Sequence, residues 1–253
     1  MATSVSRKTQ DLANTYFDFV GSATESLSSR WKSNEYYMTF SQAAVYPLYF
    51  RNSSIWDSMT VLLSRDMYIG AEFLIRPLFE GVTKFDWCML DVELHAWRFR
   101  LTTMESTSEY YNSHPAFISE ERISNLREAI ASLKEKRIQR MPPMRQICEE
   151  IACIHGDKWH GFYKYLSKIV HAEFEDWGRY DVSSRGAGQV DGIRPSLEET
   201  INCKSMATYL QMRNIILMGM LFEPMKYDAV DKLEDIWSLL FYSLLNDEQG
   251  KKS

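Results

Sequence analysis

Eleven glycines and seven prolines serve the whole of a 253-residue chain. An all-β fold turns at the end of every strand, and tight turns draw on Gly and Pro. So few corners favour long helices. The apolar pattern agrees. Leu74, Leu78, Val82, Phe85 and Met89 recur every three or four residues, the period of one helix face.

The same reading predicts helices over about 6–30, 35–64, 66–89 and 91–112. The second is expected to break near Pro47 or at Asn52–Ser53. Pro47 and Pro77 lack an amide N–H, so Pro77 should kink the third helix or mark the start of a segment. Residues 119–140 carry a strong signature. Ser119 is the expected N-cap, with Glu120 and Glu121 behind it and Lys134, Lys136, Arg137 and Arg140 at the far end. That charge order suits the helix dipole. Ile123, Leu126, Ile130 and Leu133 form its expected buried stripe, and Pro142–Pro143 are the expected stop. Short helices follow over 144–154 and 158–172, and two longer ones over 197–222 and 226–246. No repeat interrupts this order. The expected fold is one all-α domain over 1–253, a helical bundle with peripheral short helices. Its core lies at about 35–246, with an irregular loop at 183–196 and a loose tail at 247–253.

Composition narrows function by exclusion. A net charge of −5 and a pI of about 5.6 argue against whole-surface attraction to nucleic acid or anionic lipid, though not against a local basic site. Cys88, Cys148, Cys153 and Cys203 form no CxxC pair, so neither a zinc knuckle nor a disulfide framework is expected. His155 and His160 are five apart, off a common helix face, and no metal or cofactor is expected. The SSRGAG stretch at 183–188 lacks the phosphate-loop pattern. The N-terminal segment has no apolar core of a signal peptide, and the apolar run 215–222 is too short to span a bilayer. A cytoplasmic protein without membrane contact is the expectation.

One stretch carries chemistry. Wound as a helix, residues 157–177 put His160, Lys164, Ser167, Lys168 and His171 on one face and Trp159, Phe162, Leu166 and Ile169 on the other. Histidine exchanges protons near neutral pH, and lysine stabilises phosphate charge. Such a stripe suits binding or cleavage of a phosphodiester. It also suits an ordinary solvated face. Upstream, Glu72, Arg76 and Glu80 form an i, i+4 series. It reads either as a surface ion network or as a buried pair that orients the 160–171 face.

Tyr163 to His171 resembles the YRxLSxxVHG-type motif of a bacterial helical family of unassigned function. Residues 74–81, LIRPLFEG, resemble that family's RxLxE segment through Arg76 and Glu80. The second motif is also similar to that of the HEPN superfamily, in which four to six residues separate an Arg from a catalytic His on a helix. The resemblance implies a HEPN-like helical core. It further implies a metal-independent ribonuclease of a toxin–antitoxin or abortive-infection system, working as a homodimer on RNA with an antitoxin or other protein partner. Carried over, His171 matches the catalytic His. Lys164, with six residues between, stands at the Arg position and lacks the planar fork of arginine. Ser167 and His160 complete the expected site, supported by Arg76 and Glu80. The alternative is a non-catalytic helical module that binds a partner protein or a small ligand, its polar cluster serving helix packing.

Overall fold

The computed structural model describes residues 6–33, 37–65, 67–114, 119–156, 159–171 and 197–222, with Asp235, Leu239 and Leu240. Among these the chain is helical, without strands. The helices are α1 (Arg7–Ser33), α2 (Phe40–Ser64), α3 (Tyr68–Leu90), α4 (Val92–Ser113), α5 (Glu120–Glu135), α6 (Met144–Glu150), α7 (Ala152–His155), α8 (Trp159–His171) and α9 (Leu197–Leu221). The expected loop at 183–196 and tail at 247–253 lie outside the described residues. So does the expected helix over 226–246, apart from the three named positions.

α3 is the central element and touches α2, α4, α6, α8 and α9. α2 and α9 also pack on each other, α1 lies on α9, and α5 packs against α4. Trp56, Trp87, Tyr16, Tyr49, Phe79 and Phe85 are wholly buried where these helices meet. Fully burying each large apolar side chain contributes roughly 1.5–3 kcal/mol.

The helix expected over 144–154 is divided at Ile151 into α6 and α7, and two boundaries depart from the sequence expectation. α2 begins at Phe40, not near 35, because Thr39 and Gln42 form a reciprocal capping box. It then runs unbroken past Pro47 and Asn52–Ser53. Pro47 is exposed, while Val45, Leu48 and Tyr49 around it are buried. Packing of that face outweighs one lost backbone bond. Asn52 and Ser53 stay helical because their side chains have partners on α9. Asn52 Nδ2 donates to Asn214 Oδ1 at 3.0 Å, and Gln211 Nε2 donates to Ser53 Oγ at 3.2 Å. Gln211 also donates to Thr24 of α1 at 3.0 Å. Three helices are thus pinned by buried amides, which fix register more sharply than apolar contact does. Gly81 of α3 makes room for this network, since a Cβ there would come within 1.9 Å of Asn52 Oδ1.

The second departure ends α5. The expected helix to residue 140 stops at Glu135, since Arg137 takes a left-handed backbone with φ 60°. The Ile138 amide then reaches back to the Leu133 carbonyl at 3.2 Å and the Arg137 amide to Lys134 at 2.9 Å. This is the closed helix end that glycine usually supplies.

Candidate functional site

The polar face of 160–171 is built on an aromatic base. Phe79 of α3 packs on Trp159 (centroids 4.5 Å apart), Phe162 (5.4 Å) and Tyr163 (6.2 Å) of α8. Trp159 Nε1 donates to Thr83 Oγ1 at 3.1 Å. Trp159 meets Thr83 and Tyr163 meets Arg76, so α8 runs antiparallel to α3. The apolar side seats the helix and turns the other side outward.

Arg76 bridges the two helices. Its Nε donates to Glu80 Oε1 at 3.0 Å, and its Nη2 lies 3.5 Å from the Tyr163 hydroxyl. The guanidinium carbon stands 5.5 Å from the centre of the Tyr163 ring, within cation–π range. Glu80 also faces Lys84 Nζ at 4.0 Å. The Arg76 and Glu80 side chains are 20% and 23% exposed, so the pair is neither an open surface network nor a sealed lock. Burial works against the charge on Arg76, but Glu80 and Tyr163 outweigh it and hold its pKa above the ordinary value. Burial pushes Lys84 the other way, below the usual lysine range, against the pull of Glu80 and with the repulsion of Arg51.

The remaining predicted residues follow the helix. His160 is half-buried, its ring roughly parallel to Tyr163 with centroids 6.3 Å apart. Lys164 is exposed. Ser167 Oγ donates to the Tyr163 carbonyl at 2.9 Å, which commits its proton and leaves its oxygen as an acceptor. His171 is the last residue of α8, and its side chain lies outside the described residues, as does that of Lys168. At the helical rise, His171 stands about 12 Å along the axis from Tyr163. Arg76 and Glu80 therefore meet α8 at the level of His160 and Tyr163, two turns before His171.

A second polar group was not among the expected site residues. Asp86, wholly buried on α3, accepts from Arg213 of α9 at Nε (2.9 Å) and Nη2 (2.6 Å), and from His155 Nε2 at 2.8 Å. His155 Nδ1 lies 3.3 Å from the Tyr209 hydroxyl, and its ring stacks on Trp159 at 4.0 Å. Every polar atom of the imidazole is thus engaged inside the protein. This cluster ties α7 and the start of α8 to α3 and α9. Charges set in apolar runs are a partial signal: Arg213 is the one charge in LQMRNIILM, and Asp86 shares VTKFDWCML with Lys84.

Among the described residues no group of three or more His, Cys, Asp and Glu side chains is arranged to hold a metal ion. None of the described helices is long and apolar enough to cross a membrane.

A model of a family of unknown function, DUF5677, matches residues 42–188. The chain belongs to that family. The matched DUF5677 segment begins within α2 and extends beyond α8, so it contains the whole contact between Arg76–Glu80 and the α8 face. α1 and α9 lie outside it. No curated protein and no solved structure matches the chain.

Proposed function

We propose that this DUF5677 protein is a HEPN-like member of a bacterial defence or toxin system that binds or cleaves RNA without metal. The observation that carries the reading is the Arg76–Glu80 pair of α3 meeting Tyr163 of α8, with the polar side of α8 turned outward beside it. Two motifs far apart in sequence meet, and both lie inside the family segment.

In this mechanism His171 takes the proton of the attacking 2′-hydroxyl or gives one to the leaving oxygen. Lys164 stabilises the charge that develops on the phosphorus oxygens. It acts as a point charge, without the two-pronged grip of arginine. Ser167 and His160 line the same face. Arg76 and Glu80 are positioning residues that brace Tyr163 and so set the pitch of α8. A homodimer brings two such faces together, and an antitoxin or other protein partner would mask them.

The test is cleavage of mixed cellular RNA in the presence of a chelator, wild type beside His171→Ala. Cleavage by wild type, reduced roughly 10²–10⁴-fold in the variant, is expected. An equal rate in both folded proteins would remove His171 from the site.

A second reading has one observation in its favour: Arg76 already has partners within the protein. Under it the cluster serves helix packing in a non-catalytic module that binds a protein or a small ligand. His171→Ala would then cost about 1–3 kcal/mol of stability and change no reaction.

A further inference from the structure

Where α2, α4 and α5 meet, two rings and two cations form one column. Phe40, the first residue of α2, stacks on Trp97 of α4 with centroids 3.8 Å apart and planes 17° from parallel. The Arg100 guanidinium carbon stands 4.8 Å from the centre of the Phe40 ring. Lys136 Nζ, just past α5, stands 5.6 Å from the centre of the Trp97 ring. Rings 3.8 Å apart are in van der Waals contact and leave no room for a cation between them. The order is therefore Arg100, Phe40, Trp97, Lys136. Attraction between each cation and a ring face holds the charge in place.

The column is built in advance of any partner. Ser41 Oγ donates to Glu93 Oε2 at 2.6 Å and fixes the start of α2 on α4. Arg98 Nε and Nη2 donate to the Arg140 carbonyl at 3.2 and 3.1 Å, and the Met141 amide donates to Thr102 Oγ1 at 2.8 Å. These bonds hold the segment after α5 against α4, and Lys136 belongs to that segment. Two neighbouring cations, Lys134 and Arg140, are taken up by buried Glu105. Arg100 and Lys136 have no carboxylate partner among the described residues.

Each ring has one face on the other ring and one under a cation. No face is open for a nucleobase to stack on, and stacking is how single strands engage aromatic side chains. The ring edges stay open, and Phe40 is 42% exposed. Those edges carry the positive end of the aromatic quadrupole, and the two cations flank them. Leu94, 45% exposed and nearly one turn before Trp97, adds apolar surface. Arg100 lies about 9 Å beyond Leu94 along the helix. Carboxylates beside an apolar side chain complement such a surface. An anionic bilayer would gain only about 2 kcal/mol from two cations.

We propose that this column docks an acidic segment of a partner protein. An apolar side chain of the segment rests on Leu94 and the edges of Phe40 and Trp97, and its carboxylates meet Arg100 and Lys136. The surface is separate from the α8 face, and the proposal stands whether or not that face acts on RNA.

The test is a selection of short random peptides on the full chain, followed by fluorescence anisotropy of the selected peptides. Peptides with Asp or Glu beside Leu, Ile or Phe are expected to be enriched, and their binding is expected to weaken as salt rises. Lys136→Glu is expected to weaken it at least about tenfold. Lys136→Arg, and Lys8→Glu at an exposed position of α1, are expected to bind as wild type does. Lys136 is exposed, so its variant keeps the fold and decides the matter even where Arg100→Glu does not fold. Four results overturn the proposal. They are no enrichment of acidic residues, affinities unchanged by Lys136→Glu, displacement of the peptides by a single-stranded RNA, and a wild-type dimer that Lys136→Glu dissociates. The third assigns the surface to nucleic acid and the fourth to a second copy of the chain.

Discussion

At the scale of single residues, Asp86 carries more of the fold than its one charge suggests. Its carboxylate takes three hydrogen bonds from two helices and is wholly buried. Removing it strands His155 in the interior and Arg213 at its edge, with no water for the first. Asp86→Ala is expected to lose roughly 3–5 kcal/mol in urea unfolding, far more than a typical substitution. Loss within 0.5 kcal/mol would contradict the role given to the cluster. Sequence can flag Asp86 and Arg213 as charges in apolar runs, but it does not pair them. The members of the cluster are separated by 69 and 127 residues, and only packing brings them together. His155 gives no helical partner spacing, and its role depends on Trp159, Tyr209 and Asp86 from three other helices.

At the scale of elements, α5 shows how a helix with clear sequence signals can still end unexpectedly. Its cap and first-turn acids are legible because each depends on near neighbours, whereas of the stripe expected to be buried only Leu133 is, the other three being half-buried. Its end is not legible, because a left-handed arginine has no sequence signature. Arg137 is exposed and holds a conformation that costs an L-residue about 1–2 kcal/mol. Arg137→Gly is expected to raise stability by about 1 kcal/mol, read as an increase in Tm. A drop would show that the arginine side chain compensates for its backbone. α5 is also tied electrostatically to α4, where buried Glu105 faces Lys134 at 2.7 Å and Arg140. Burial alone would raise the Glu105 pKa, but the hydrogen bonds and charges of Lys134 and Arg140 outweigh it and hold the carboxyl below its usual range. The sign follows by linkage: the unfolded chain binds this proton more readily, so the contact stabilises above the ordinary carboxylate range. The contribution fades as pH falls through the depressed value. The Tm difference between wild type and Glu105→Gln should be present near neutrality and shrink toward acid. A difference that grows toward acid would reverse the assignment.

For the whole molecule, the helical class and most elements were legible because apolar periodicity and the scarcity of Gly and Pro are local properties. The candidate site was legible only as a set of spacings. Arg76, Glu80 and the α8 face were each marked by spacing, and the structure brings Arg76, paired with Glu80, against Tyr163. It also shows their offset from His171, which spacing within one helix cannot give. α9 lies outside the family segment yet supplies Arg213, Gln211 and Asn214 to the interior. The fold that presents the α8 face therefore depends on chain beyond the matched residues.

The proposed function requires the α3 pair and the α8 face to act as one unit. A double-mutant cycle on RNA cleavage with Arg76→Ala and His171→Ala, in samples shown to be folded, tests it most directly. If they work together, each single variant loses most of the rate and the double variant is little worse than the poorer single. A folded Arg76→Ala protein that cleaves at the wild-type rate would contradict it.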